Sequence, residues 1–361
     1  MYCCQNSQKS IKNMDIVISS DAHQGDREYM EDLTSTIHER VSFAAGNIDQ
    51  YYIAVYDGHG GSEAAYFARK MLWNTIKKQR GFYSNDPAHV VKAIKEGFLA
   101  THRAMWKESD KWPKYKCFWP STSGTTVSTV IIRGRRMFVA HVGDSGVVLG
   151  IDDHVSSIRS HNLTEDHKPE SPDEKKRIEA LGGAVLARNG THRVAWKRPV
   201  LKQHSGPFLR STKTELVPFL AVARSLGDFW SYEALHDQFW VSPLPDVNVY
   251  DINPDVHKFI IVASDGLWGV VRPNKAVRFV QKTIKDVSDP LNADVSHKLV
   301  ALAMSKWKKR KTRADNTSVI VVFFQEGENQ PCNLSDQQKS SVSQTNTDTA
   351  SVVSVETPRS M

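Results

Sequence analysis

The sequence predicts an α+β domain, and three features of the chain predict it. Short apolar or alternating runs recur at strand length. Longer stretches whose apolar residues repeat every three and four positions lie between some of them. Two strand pairs are joined by tight links, which predict antiparallel neighbours.

Taken in order, the strand-like runs are 15–20, 51–56, 125–132, 137–141, 146–151, 219–223, 258–264 and 318–324. Arg133-Gly134-Arg135 joins the third to the fourth, and Gly143-Asp144-Ser145 joins the fourth to the fifth. These tight links predict one antiparallel meander through the three runs. The first helical stretch is 62–78, with Ala64, Phe67, Ala68, Met71 and Leu72 on one stripe and Ser62 placed as an N-cap. The second is 87–106, with Val91, Ile94, Phe98 and Met105 in line and Pro87 in the first turn. The third, 172–181, is short and charged, and Gly182 and Gly183 stop it.

Composition bounds the rest. The chain has 361 residues and is 40% hydrophobic, enough for a sizeable core. Residues 1–13 read as a loose arm, 14–326 as continuous globular sequence, and 327–361 as a Ser/Thr-rich tail without aromatic residues. Such a tail cannot bury enough apolar surface to offset the entropy of ordering, so disorder is expected there. A net charge of +7 suits an anionic partner, be it nucleic acid, an acidic membrane or a phosphoprotein. Cys3, Cys4, Cys117 and Cys332 form no C-x-x-C pair, which argues against a disulfide framework or zinc knuckle. The first residues lack the apolar core of a secretory signal, and no apolar run nears the roughly 18 residues that span a bilayer. A soluble intracellular chain with no membrane contact is the expectation.

Three acidic motifs share one design, a strand run meeting an aspartate at its end. YYIAVYDGHGG supplies Asp57, Gly58 and His59; KFIIVASDGLWG supplies Asp265; in RADNTSVIVVFF, Asp315 directly precedes the strand. Rigid strand ends that open to solvent suit the oxygen ligands of a hard cation. Glycine after the aspartate allows close backbone approach, so the Gly58 carbonyl can itself be a ligand. A lone Asp-Gly pair is an ordinary turn; the joint occurrence of the three motifs carries the reading. Earlier, DAHQGDREYMED holds Arg27, Glu31 and Asp32. A guanidinium fork matches two phosphate oxygens, and paired carboxylates can hold metal-bound waters.

The ordered series R-x-x-M-E-D, D-G-H-G-G, S-G-T-T, H-V-G-D-S, D-H-K-P, A-R-S-L-G-D, S-D-G-L-W and A-D-N-T-S resembles the metal-dependent protein phosphatase family, type 2C. The resemblance runs from about position 20 to 324. It implies two packed antiparallel sheets flanked by helix pairs, and hydrolysis of phosphoserine and phosphothreonine in proteins by a metal-activated water. It implies that Asp57 bridges two Mg²⁺ or Mn²⁺ ions, that Asp265 and Asp315 bind one ion and the Gly58 carbonyl the other, and that Glu31 and Asp32 act mainly through bound waters. Arg27 would hold the substrate phosphate, and His59 would be the general acid. No cysteine sits in a C-x₅-R phosphate loop, so direct attack by water without a phosphoenzyme is expected.

Two departures from the family stand out. Many members carry an aspartate where this chain has Gly269. That group, with Asp144 and Asp265, would complete a weaker third metal site, so the third site is expected to be poorly occupied. The stretch 196–219 is an insertion carrying Lys197, Arg198, Lys202, Arg210 and Lys213, with Pro199, Gly206 and Pro207 opposing regular structure. Bracketed by Arg193 and Arg224 beside the cleft, it is read as a substrate-binding loop. These stretches look most like the delta or Wip-type subgroup, which implies stress kinases or checkpoint proteins as substrates and a DNA-damage role. Lys308-Lys309-Arg310-Lys311 is either a nuclear import signal or a helix-terminal basic cluster, and nucleus or cytoplasm is the expected location. A monomer is expected. The alternatives are a catalytically weak phosphatase fold that binds phosphoproteins, and a nucleic-acid binder. The first would require loss of a metal ligand. The second has only the pI behind it, with no stacking pattern to support it, so no direct nucleic-acid contact is expected.

Overall fold

A computed structural model describes residues 14–43, 46–114, 121–152, 158–200, 212–285 and 293–326. The elements run β1 Met14–His23, β2 Leu33–Phe43, β3 Gly46–His59, α1 Glu63–Lys77, α2 Pro87–Glu108, β4 Gly124–Arg133, β5 Arg136–Val142, β6 Gly146–Ile151 and β7 Arg159–Asn162. There follow α3 Pro172–Ala180, β8 Val185–Arg188, β9 Thr191–Pro199, β10 Thr214–Leu220, β11 Leu226–Gly227, β12 Tyr232–Glu233, β13 Gln238–Phe239 and β14 Asp246–Asp251. The last are β15 His257–Ala263, α4 Asp265–Trp268, α5 Pro273–Ile284, α6 Val295–Arg310 and β16 Thr317–Glu326.

Two antiparallel sheets form the centre. One has the order β1-β16-β15-β6-β7; the other has β14-β5-β4-β3-β2, with β11 added to β4. The two-residue period of a strand decides what each face touches. In β3, Ile53 and Val55 meet Val147, Leu149, Ile260, Val262, Ile320 and Val322 of the facing sheet. The alternate residues Tyr52, Ala54 and Tyr56 turn outward against Leu72 and Ile76 of α1 and Ile94 and Phe98 of α2. On the far side, Phe259, Ile261, Val319 and Val321 pack on Val277 and Val280 of α5 and Leu299 and Ala303 of α6. The result is a helix–sheet–sheet–helix sandwich, as the motif resemblance implies. β3, β15 and β16 read as continuous apolar runs because both of their faces are covered.

Four expectations need correction. The meander through 125–151 is broken at Gly143-Asp144-Ser145. β5 pairs with β4 in one sheet, while β6 pairs with β15 in the other, so this tripeptide crosses between sheets. A short link can join two stacked sheets as readily as two adjacent strands. Ser62 sits at the N-cap position of α1, but its side chain makes no capping bond. Ser123 Oγ accepts the Ala64 N–H at 3.0 Å instead, a cap delivered from a distant segment. The strand expected at 219–223 is β10, which ends at Leu220. Pro199 does not oppose regular structure: it closes β9, pairing with Thr214 at the end of a hairpin. The arm 1–13, the tail 327–361, and Lys202, Gly206, Pro207 and Arg210 lie outside the described residues.

Helix α2 has a locally encoded start. Pro87 is its first residue, and Asp86 Oδ1 accepts the Ala88 N–H at 2.9 Å. Asp86→Ala should cost about 1 kcal/mol, read as a lower urea midpoint at unchanged slope. An unchanged midpoint would mean that water replaces this cap without loss.

Candidate metal and catalytic site

The strand registers bring the acidic motifs to one edge of the sandwich. His59, at the end of β3, lies opposite Gly124, at the start of β4. Ala263, at the end of β15, lies opposite Val319, early in β16. Asp57 lies two residues before the end of β3, Asp265 follows β15, Asp315 precedes β16, and Asp144 sits in the crossover between sheets. Glu31 and Asp32 immediately precede β2.

Carboxylate oxygens of Asp57, Asp144 and Asp265 lie within 4.8 Å of one another. Burial pushes Asp57 well above the usual carboxylate range, and the charges of Asp32, Asp265, Asp144 and Asp315 add to the rise. Burial also raises Asp265 to about 8, reinforced by Asp144, Asp315 and Asp32, and raises Asp32 to about 6. So much converging negative charge is costly by itself, and its donors are hard oxygens. That donor set fits a divalent cation such as Mg²⁺ or Mn²⁺.

The surrounding bonds hold these groups in place. Asp32 Oδ2 accepts from Ser264 Oγ at 2.7 Å, and that same Oγ accepts the Ser318 N–H at 3.0 Å, tying the ends of β15 and β16 together. Glu31 Oε1 accepts the Gly61 N–H at 2.7 Å, and Asn316 Oδ1 accepts the Glu31 N–H at 2.7 Å. Gly58 faces the Glu31 carbonyl so closely that a Cβ would lie 2.5 Å from it. Arg27 donates to Asp315 Oδ2 at 2.6 Å, which puts its guanidinium at the rim of the acidic cluster. Asp315 is not among the three converged aspartates, though its charge acts on Asp57 and Asp265; the Asn316 N–H lies 2.8 Å from its Oδ1. Asp144 Oδ2 accepts from Lys168 Nζ at 2.5 Å. An ammonium therefore stands beside Asp144.

His59 has a partner that sequence reasoning missed. Its Nε2 lies 2.8 Å from Asp228 Oδ2. Asp228 is fully buried and also accepts from Ser225 Oγ and from Trp230 Nε1. Burial alone would lower the His59 pKa, but the Asp228 carboxylate, with the charges of Asp144 and Glu31, outweighs it and the net shift is upward. Gly124 makes room for the pair, since a Cβ there would lie 2.0 Å from Asp228 Oδ2 and 2.4 Å from His59 Nε2. Asp228, Lys168 and Asn316 all stand in motifs quoted for the resemblance. Only the fold shows what each one touches.

Arg193 donates to the Phe219 carbonyl at 2.8 Å, bracing the β9–β10 hairpin. Arg198 pairs with Glu215 at 3.1 Å across that hairpin, while Lys197 is exposed. Arg224 is engaged by Glu174 and Asp246. Trp196 and Phe219 pack on Trp230, with ring centroids 6.0 and 5.0 Å away. Since the Trp230 indole holds Asp228, the hairpin rests on the support of His59. A second cluster, His141, His167 and Asp246, also lies within 4.8 Å. Its two rings stack at 4.4 Å and 11°, and His167 Nδ1 already accepts the Gly143 N–H. Through that bond His167 holds the backbone just before Asp144 in the crossover.

A family model for protein phosphatase 2C matches residues 16–312. This chain belongs to the protein phosphatase 2C family. It is similar to protein phosphatase 2C homolog 2 of Hypocrea jecorina (strain QM6a), with 31% identity over 299 residues, 81% of this chain and 56% of the relative. It is similar also to probable protein phosphatase 2C 27 of Arabidopsis thaliana, with 33% identity over 307 residues, 84% of this chain and 67% of the relative. The chain thus spans roughly half to two thirds of the length of these curated relatives. Its fold matches the crystal structure of serine-threonine phosphatase 2C from Toxoplasma gondii, with a TM-score of 0.63 at 22% identity, covering 88% of this chain and 96% of that one. The fold of a 2C phosphatase thus carries a converged triplet of aspartates at one sandwich edge, with a His–Asp pair beside it.

Proposed function

We propose that this chain is a metal-dependent serine/threonine protein phosphatase that hydrolyses phosphoproteins at the sandwich edge. The observation that carries the proposal is the convergence of Asp57, Asp144 and Asp265 from both sheets. Two Mg²⁺ or Mn²⁺ ions are proposed, held by Asp57, the Gly58 carbonyl, Asp265 and Asp315, with Glu31, Asp32 and Asp144 around them. When bound, such ions activate water and neutralise phosphoryl charge. Arg27 supplies a fork for the phosphate oxygens at the rim. His59, its Nε2 held by Asp228, keeps a proton on Nδ1 for the departing serine or threonine oxygen. The test is release of phosphate from a phosphothreonine peptide with added Mn²⁺ and with chelator. No metal-dependent release would overturn the reading.

Arg193, Lys197, Arg198 and Lys202 are proposed as substrate-binding residues. The seat on Trp230 of the hairpin that carries Arg193, Lys197 and Arg198, next to the support of His59, favours this; Lys202 lies outside the described residues. Residues such as Lys197 and Lys202 offer donors to acidic residues or a second phosphate beside the scissile one. Each exposed pair contributes at most about 1 kcal/mol. Replacing Lys197, Arg198 and Lys202 with Ala should raise KM for acidic phosphopeptides several-fold, by an amount that shrinks with added salt. The rate on p-nitrophenyl phosphate should stay unchanged. Unaltered KM for every phosphopeptide would leave the hairpin as solvated surface. The finer assignment, to the delta or Wip-type subgroup with stress-kinase or checkpoint substrates and nuclear residence, rests on motif resemblance alone. The basic cluster once weighed as an import signal forms the last turn of α6, where Arg310 donates to the Gly269 carbonyl at 2.8 Å.

A further inference from the structure

A groove leads away from the acidic edge between β7 and the start of α5. Its near part, about 710 Å³, is lined by Gly146, Asp166 and Trp268 among others. Gly146 follows Asp144 by two residues, and Trp268 follows Asp265 by three. Its far part, about 950 Å³, shares His161, Asn162 and Pro273 with the near part and adds Arg272, Lys275 and Arg278. The walls are fixed. Trp268 Nε1 donates to the Gly146 and Ala263 carbonyls at 3.2 and 2.9 Å. Asn274 Oδ1 accepts from Ser160 Oγ at 2.7 Å and from the Ser160 N–H at 3.2 Å, which ties α5 to β7.

The two parts differ in charge. Glu165 and Asp166 stand in the near part, whereas no carboxylate lines the far part. Arg272, Lys275 and Arg278 follow one another at intervals of three, so they share one face of the helix start. All three are exposed, and none makes an ion pair among the described residues. Lys306 of α6 extends the row. Loss of hydration and the charges of Lys275, Arg310 and Lys309 hold its pKa below the ordinary lysine value. Like charges gathered without a counter-ion repel one another, and an anion seated among them relieves that repulsion.

We propose that this groove seats an acidic segment of the phosphoprotein substrate, its carboxylates among Arg272, Lys275 and Arg278 and its phosphorylated residue at the acidic edge. This rests on the phosphatase reading above. Ser160, in the far part, pairs with Gly150 of β6, six residues beyond Asp144. Six extended residues span at most about 20 Å, so the acidic residues of the substrate should lie about six positions from the scissile one. Glu165 and Asp166 repel acidic residues placed nearer. The same pair disfavours a continuous polyanion such as nucleic acid, whose phosphates recur at every step. The groove shares no residue with the β9–β10 hairpin.

The test gives the full chain, with Mn²⁺, phosphothreonine peptides of three kinds. One has no acidic residue, one has a run of glutamates beside the phosphothreonine, and one has that run about six positions away, on each side in turn. The distant run should lower KM about five- to tenfold against the other two, the worth of three exposed ion pairs. Added salt should shrink the difference. Replacing Arg272, Lys275 and Arg278 together with Ala should bring the distant-acid and acid-free KM values together. Equal KM values for these two peptides in the parent, or a difference that survives the replacement, would overturn the groove as a docking site. Fluorescence anisotropy of the unphosphorylated distant-acid peptide reads binding without turnover, and its Kd should rise at least about fivefold in the triple variant. That rise, with no metal-dependent phosphate release from any peptide, would uphold the groove and overturn the phosphatase reading alone. A short DNA duplex or phosphatidylserine vesicles bound more tightly than the peptide, and released by the same replacement, would overturn the assignment to a peptide.

Discussion

Asp265→Ala should reduce turnover of a phosphothreonine peptide by about 10³-fold or more, since metal activation of water is worth several kcal/mol of barrier. The Asp265 carboxylate converges with those of Asp57 and Asp144 within 4.8 Å. Without it the cluster loses a first ligand supplied by the β15 end, and Asp57 and Asp144 cannot replace it. Stability should move the other way. Asp265 is pushed up to about 8 by burial and by its acidic neighbours. Deleting it relieves repulsion, so the metal-free variant should melt at or above the temperature of the metal-free parent. Added Mn²⁺ should raise the melting temperature of the parent by mass action and that of the variant much less. A variant near the parental rate, or full parental turnover in chelator, would sink the metal mechanism. A variant that melts far below the metal-free parent would show a folding defect instead.

His59→Gln should slow phosphopeptide hydrolysis by about 10²–10⁴-fold, the usual worth of a general acid. Hydrolysis of p-nitrophenyl phosphate should fall only a few-fold, because nitrophenolate leaves without a proton. Asp228→Asn gives a graded version of the same test. It removes the buried charge that raises the His59 pKa but keeps the side-chain shape. A loss smaller than that of His59→Gln is expected, again selective for the poor leaving group. Equal losses on both substrates, for either variant, would contradict the acid role of His59 and point to damage in the neighbouring metal cluster.

The apolar runs of β3, β15 and β16 were legible because burial on both faces leaves an unbroken hydrophobic record. The stripes of α1 and α2 were legible because each helix buries one face. Strands β2 and β14 were not read. β2 alternates half-buried and exposed residues at an edge, and β14 carries Asp246, Asn248 and Asp251 in six residues. Helices α5 and α6 went unread as elements, apart from the basic end of α6. Their apolar stripes are interleaved with Lys and Arg, whose stems cover apolar surface.

By itself, then, the sequence determined the α+β class, the family, and the placement of Asp57, Asp265 and Asp315 at strand ends, because strand periodicity and turn chemistry are local. The tertiary structure decided which carboxylates meet. Asp144 joins Asp57 and Asp265 because the chain changes sheets at Gly143-Asp144-Ser145, while Asp315 pairs with Arg27 at the rim. It decided also that Asp228 holds His59 across a separation of 169 residues, and that Ser123 caps α1 in place of Ser62. Such contacts arise between groups far apart in the chain. Packing of the two sheets, which no local pattern encodes, sets the distance between them.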